Sequence, residues 1–230
     1  MTTGYAKIRL DRRRSMRDQI YDLLRTEIVT GAISPNAVID EKKIASQLKV
    51  SRTPVREAVK KLSDEHLVEV VAQSGTRAAP LDKDELYQAY IVRRALEMES
   101  AAQAVAHMSQ KHADNLSELL LRHGRLIDAK DYVHAIATDD DFHRYIAEIS
   151  NLPRLWRAIE ISKAQLDRCR HLALPHPGEA DATLDHHRKI IRALNGGDPE
   201  RARAAMAEHL DRSYSNALRL LETELNPPAK

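Results

Sequence analysis

Two groups of residues have types and spacings suited to chemistry. In the first, Asp139 and His143 are four residues apart, so on a helix both side chains point the same way. His143 shares that face with Ile136, Ile146 and Ala147, His187 lies with Leu184, Ile190, Ile191 and Leu194, and His209 with Ala202, Met206, Ser213 and Ala217. His186, beside His187, is turned about 100° away around the helix, so the apolar periodicity selects His187. Three inward histidines and one inward carboxylate would each cost about 1–3 kcal/mol if left unpaired. A divalent metal is the economical shared partner, and imidazole with carboxylate suits zinc first, with nickel and manganese also compatible. Only Asp139 and His143 have ligand-like spacing, so the cluster depends on the fold bringing the other two to them. Taken singly, each histidine reads as a satisfied core or helix-end residue. In the second group, Arg52 and Arg56 lie one turn apart with Thr53 beside the start of the same helix, a pattern that can hold guanine edges or phosphate oxygens.

The elements that must position the second group are legible upstream. Ile20, Leu23, Leu24 and Ile28 recur at helical spacing from Met16 to Thr30, with Gly31 as a stop. After the turn GAISPNAV, Asp40 is placed to cap a helix from Glu41 to Leu48, and Ser51 to cap another over about Thr53 to Glu65, with Pro54 in its first turn. That second helix puts Val55, Val59 and Leu62 on one face and Arg52, Arg56 and Lys60 on another. LVEVVAQSGTRAA then gives two β-prone runs around Ser74-Gly75, a hairpin whose glycine tip lets backbone approach a minor groove. Helix, helix, helix, hairpin is the order of a winged helix-turn-helix over residues 1–80.

The first group belongs to a stretch without strand alternation. Breaks at Met108-Ser109, Lys130-Asp131, Asn151-Leu152-Pro153, Pro175-His176-Pro177-Gly178 and Asn195-Gly196-Gly197-Asp198-Pro199 bound about six helices. Asp82, Ser109, Asp131 and Asp198 stand where helix caps belong. The expected fold is therefore mainly α: a winged helix-turn-helix with a small β-hairpin wing, then an all-α antiparallel bundle over residues 81–230.

Composition agrees. Of 230 residues, aromatics are 4% and Gly only 7, which disfavours a mostly-β fold. No apolar run is long enough to span a membrane, the start MTTGYAKIRLDRRR lacks a secretory core, and the single Cys169 has no internal partner, which together point to the cytoplasm. Cys169 has no identified base beside it and reads as inert. Net charge is +2, but residues 1–80 carry 15 Lys+Arg against 10 Asp+Glu, and ten of the 11 histidines lie beyond them. Basic charge and histidine chemistry thus sit in different domains.

The segment VIDEKKIASQLKVSRTPVREAVKKLSDEHLVEV resembles the GntR family of bacterial winged-helix transcription regulators through its contiguous V-S-R-T-P-V-R-E-A stretch. The resemblance implies that Lys42, Arg52, Thr53 and Arg56 contact DNA, with Gly75 in the wing. DDDFHRYIAEISNLP, DHHRKIIRALNGGDPERARAAMAEHL and IVRRALEMESAA resemble the ligand-binding domain of the FadR subfamily, across nearly all of residues 82–223. Two departures are that Leu152 follows Asn151 directly and that Ser150 stands at the usual glycine. What this implies is a metal held by Asp139, His143, His187 and His209 with two positions left for water or a ligand carboxylate, and Arg93 as the anion-binding partner. Spacing alone also fits Arg93 as a surface i,i+4 pair with Glu97. Asn216, seven residues beyond His209 on the same face, fits the pocket or a polar helix interface.

The resulting expectation is a homodimeric DNA-binding regulator, a repressor, that reads a palindromic operator and responds to a small carboxylate. Two alternatives remain at this level. A metal-dependent hydrolase with an attached DNA-binding domain would use an open metal site to activate water, although no acidic residue stands clearly as its general base. A constitutive DNA binder would carry a purely structural metal.

Overall fold

The computed structural model describes residues 5, 8–11, 13–71, 75–173 and 179–225, and the chain divides into two compact units, Met1–Asp82 and Lys83–Lys230. Among the described residues the first unit holds α1 (Met16–Val29), α2 (Glu41–Leu48), α3 (Arg52–Asp64), β1 (Val68–Val71) and β2 (Gly75–Ala78). Ser15 caps α1 by accepting from the Asp18 amide, and Ile20, Leu24 and Ile28 form its buried stripe. Asp40 caps α2 through the Lys43 amide, and Lys49 closes it in the left-handed region. Ser51 stands at the N-cap of α3 as expected, but its side chain makes no capping hydrogen bond. Val55, Ala58, Val59 and Leu62 bury one face of α3, leaving Arg52, Thr53, Arg56 and Lys60 exposed on the other. Tyr21 donates to Glu65, and Arg25 lies 3.3 Å from the same carboxylate, which ties α1 to the end of α3.

β1 and β2 pair antiparallel in the register Val68↔Ala78 and Val70↔Thr76. Gly75 is not at the tip: it pairs with Val71 as the first residue of β2, with φ +86 and open space around its Cβ position. Ser74, part of the expected turn, lies outside the described residues. The segment GAISPNAV, read as a turn, does more than reverse the chain. Val38 bridges Arg77, the Ala78 amide donates to Ala37 (2.9 Å), and the Ile39 amide donates to Thr76 (2.8 Å), giving the wing a third short edge. No strand alternation was visible there because the paired stretch is too short to show a period.

The second unit is helical: α4 (Lys83–Ala104), a 3-10 turn (Val105–His107), α5 (Gln110–Asp128), α6 (Tyr132–Ile149), α7 (Pro153–Ser162), α8 (Ala164–Ala173), α9 (Glu179–Asn195) and α10 (Pro199–Leu225). Ser109 and Asp131 cap α5 and α6, and Asp198 accepts from the Glu200 and Arg201 amides at the start of α10. Lys130 and Asn151, both at positive φ, supply the reversals after α5 and α6. Among the described residues there are seven α-helices rather than about six, because residues 153–173 break at Lys163 without proline or glycine. At the break the buried Lys163 ammonium reaches Asp140 (2.6 Å) and Asp167 (2.7 Å). The expected break at Pro175-His176-Pro177-Gly178 lies outside the described residues. α4 packs on α10, α5 on α6 and α9 on α10, around a core that includes Ala101, Leu116, Phe142, Ile146, Ile190, Leu194 and Met206.

Candidate functional site

The bundle brings the four expected donors together. One ligand atom from each of Asp139, His143, His187 and His209 lies within 4.8 Å of the others, and all four residues are buried. His187 Nε2 is 3.3 Å from Asp139 Oδ1, His143 Nε2 is 3.7 Å from Asp139 Oδ2, and His209 Nε2 is 3.2 Å from His143 Nε2. Ring stacking fixes their orientation: Phe142 of the core stacks on the His187 ring at 4.2 Å, and the donors His143 and His209 stack on each other at 5.0 Å. Burial holds His187 and His209 well below the ordinary imidazole range, so both present lone pairs. Burial would raise the Asp139 carboxyl, but Arg170, His143 and His187 overcome that and hold it well below the usual carboxylate range. The donor set is therefore one carboxylate and imidazoles with available nitrogens.

Two observations test whether a divalent ion fits. Both ring nitrogens of His187 are buried without a hydrogen-bond partner, and a cation bound at Nε2, the one 3.3 Å from Asp139 Oδ1, would remove the cost of that nitrogen. Glu97 Oε2 stands 2.5 Å from His143 Nδ1, while Nε2 of the same ring faces Asp139 and His209. A carboxylate on the far nitrogen is the arrangement that orients metal-binding histidines. The residues fit the group.

Beside the donors lies a cavity of about 50 Å³ whose lining includes Arg93, His123, Asp139, Arg170, His209 and Asn216. That is room for a few waters or a small polar group. Arg93 does pair with Glu97 as its spacing suggested, but the pair is buried, with Arg93 3% exposed, so it is not a surface pair. Three neighbours of the donor cluster were not singled out from sequence as site residues: Glu97, His123 and Arg170. The first had a visible signal in its spacing from Arg93, whereas Arg170 on α8 meets Asp139 on α6 across 31 positions. Cys169 is buried and its thiol is pushed up to about 11, which suits an inert core residue.

In the winged unit, Lys42 on α2 and Arg52, Thr53 and Arg56 on α3 are exposed, and Gly75 opens β2. Glu41 also stands here: it accepts from the Thr76 hydroxyl (2.9 Å) and lies 3.8 Å from Arg56 Nε, linking the wing to α3.

Residues 16–77 match the model described as bacterial regulatory proteins, gntR family, and residues 85–212 match the FCD domain, a FadR C-terminal-like domain. The chain belongs to the GntR family. This GntR chain is 29% identical over 206 residues to the HTH-type transcriptional repressor RspR of Escherichia coli (strain K12), covering 90% of each. It is 31% identical over 201 residues to a probable D-xylose utilization operon transcriptional repressor of Paenarthrobacter nicotinovorans, covering 86% of this chain and 87% of that protein. The solved structure of E. coli McbR/YncC superposes with a TM-score of 0.76 at 25% identity, covering 93% of this chain and 100% of that one. The family and these homologues are transcription regulators, not enzymes, which removes the hydrolase alternative. A GntR helix-turn-helix implies DNA binding and an FCD domain implies a small-molecule effector. Among the described residues no helix is long and apolar enough to cross a membrane.

Proposed function

We propose that this GntR regulator is a cytoplasmic repressor whose operator affinity is set by a small carboxylate bound at a metal-containing pocket of its helical domain. The observation that carries the reading is the convergence of Asp139, His143, His187 and His209 within 4.8 Å beside a cavity lined by Arg93 and Asn216. The metal, zinc first with nickel or manganese also suited to the donors, supplies a Lewis acid for the effector carboxylate. Asp139 and the three histidines hold it, while Arg93 and Asn216 face the effector. Effector binding favours one bundle geometry, and operator affinity changes by the coupling energy, typically about 1–3 kcal/mol.

On the DNA side, Arg52 and Arg56 read base edges, Lys42 and Thr53 hold phosphates, and Gly75 brings the wing backbone close to the groove. The chain acts as a homodimer because two recognition helices about one helical turn apart read a palindromic site with the gain of effective concentration. Arg52→Ala and Arg56→Ala are each expected to weaken operator binding by about 1–3 kcal/mol and relax specificity, while Lys42→Ala lowers the salt slope by about one. Titrating a palindromic fragment at several salt concentrations checks this, and unchanged affinity in both arginine variants would refute the assignment.

The switch is tested by Asp139→Ala. Expected is loss of effector response with operator binding retained, read by operator titration with and without metal and a panel of mono- and dicarboxylates. An unaltered response sinks the pocket assignment. If chelation melts the protein and no carboxylate acts, the metal is structural and DNA binding constitutive.

A further inference from the structure

The Arg170 guanidinium has two employments. Its Nη1 is anchored on Asp140 (2.8 Å) and on Asp167 one turn back on α8 (3.3 Å), where the Lys163 ammonium holds the same two carboxylates. Its Nη2 donates instead to Asp139 Oδ2, the oxygen nearer His143 Nε2. Asp139 is the only anion among the four metal donors, and Arg170 also lines the cavity with Arg93. One carboxylate oxygen is thus claimed by a fixed cation from α8 at the place where an ion held by the histidines would claim it.

We propose that Arg170 is a metal-gated anion receptor: its Nη2 competes with a divalent cation for Asp139, and capture of Asp139 by the cation frees that N–H for a carboxylate in the cavity. This rests on the metal and effector reading above and adds the residue that couples the two ligands. The Nη1 anchor on Asp140 and Asp167 keeps the guanidinium at the cavity wall in both states, so release of Asp139 exposes a donor already in place. Metal and carboxylate then bind with positive cooperativity, because the first removes the internal ligand that occludes the second's receptor.

The test uses the full chain, zinc measured by competition with a colorimetric chelator, and acetate measured by calorimetry on zinc-loaded protein. Arg170→Gln is expected to tighten zinc about tenfold or more, since a charge-assisted competitor has gone, and to weaken acetate by a similar factor. Arg170→Lys keeps a cation for Asp140 and Asp167 but lacks the second arm, so it shifts both affinities in the same directions and serves if the glutamine variant fails to fold. A merely structural arginine would weaken zinc when replaced. Zinc affinity unchanged or weaker in the folded variants overturns the proposal, as does acetate binding that does not weaken. Tight zinc binding by the wild type with neither variant tightening removes only this inference, whereas a wild type that binds no zinc removes the metal site beneath it.

Discussion

Glu97→Ala is expected to lower the stability of the metal-free protein by about 3–5 kcal/mol, the cost of stripping the partner from buried charge. Glu97 is 2% exposed and Arg93 is 3% exposed, so the truncation leaves a buried guanidinium without its paired carboxylate. Burial alone would raise the Glu97 carboxyl, yet Arg93 and His143 bring it down to about 2, so it is the anion on which both depend. Chemical denaturation of the two proteins at neutral pH measures the difference. Glu97→Gln keeps the shape and one acceptor, so it costs less stability but loosens the grip on His143 Nδ1. Metal affinity in that variant should drop about 10–100-fold, as when a carboxylate behind a ligand histidine is removed. A glutamine variant with undiminished metal affinity would show that Glu97 serves the fold alone.

Acid should destabilise the metal-free protein well before its carboxylates titrate. His187 and His209 are held below their unfolded value by burial, so between about pH 6.5 and their folded values the unfolded chain binds protons that the native one does not. Stability is then complete above about pH 6.5 and falls as pH drops, by about 1.4 kcal/mol per pH unit for each group. The two together give about 3 kcal/mol per unit. His123 and His171, also lowered by burial, act with the same sign. Glu97 and Asp139 have depressed values, so their contribution is lost only at lower pH, below the usual carboxylate range. Denaturation midpoints from pH 7.5 to 5 read the slope, and His209→Asn should make it shallower by about one proton's worth. A flat profile over that interval would mean that these imidazoles are not neutral and buried together.

Much of this was readable before any coordinates because the cues were local. Asp40, Ser109, Asp131 and Asp198 cap helices within three residues of themselves, and the apolar stripes beside His143, His187 and His209 oriented each ring from its own helix. The rest depended on partners distant in sequence. Arg170 meets Asp139 across 31 positions, and Lys163 meets Asp140 across 23, and neither pairing leaves a period or a turn residue to read. The helix break at Lys163 falls at that network and carries no proline or glycine to mark it. Glu97 was visible as the neighbour of Arg93, but its second contact, with His143, required α4 and α6 to meet.

The edge that Ala37–Ile39 adds to the wing makes the stretch before α2 intolerant of changes in length. Val38 is 67% exposed while Ile39 is 4% exposed, so the two point to opposite sides of a paired strand. A one-residue insertion between Gly31 and Ala37 that slid this pairing would exchange them, bringing Val38 inward and ejecting Ile39. An outwardly ordinary loop therefore acts as a ruler, and relatives that vary in length there must take up the difference before residue 37 or rebuild the reading head.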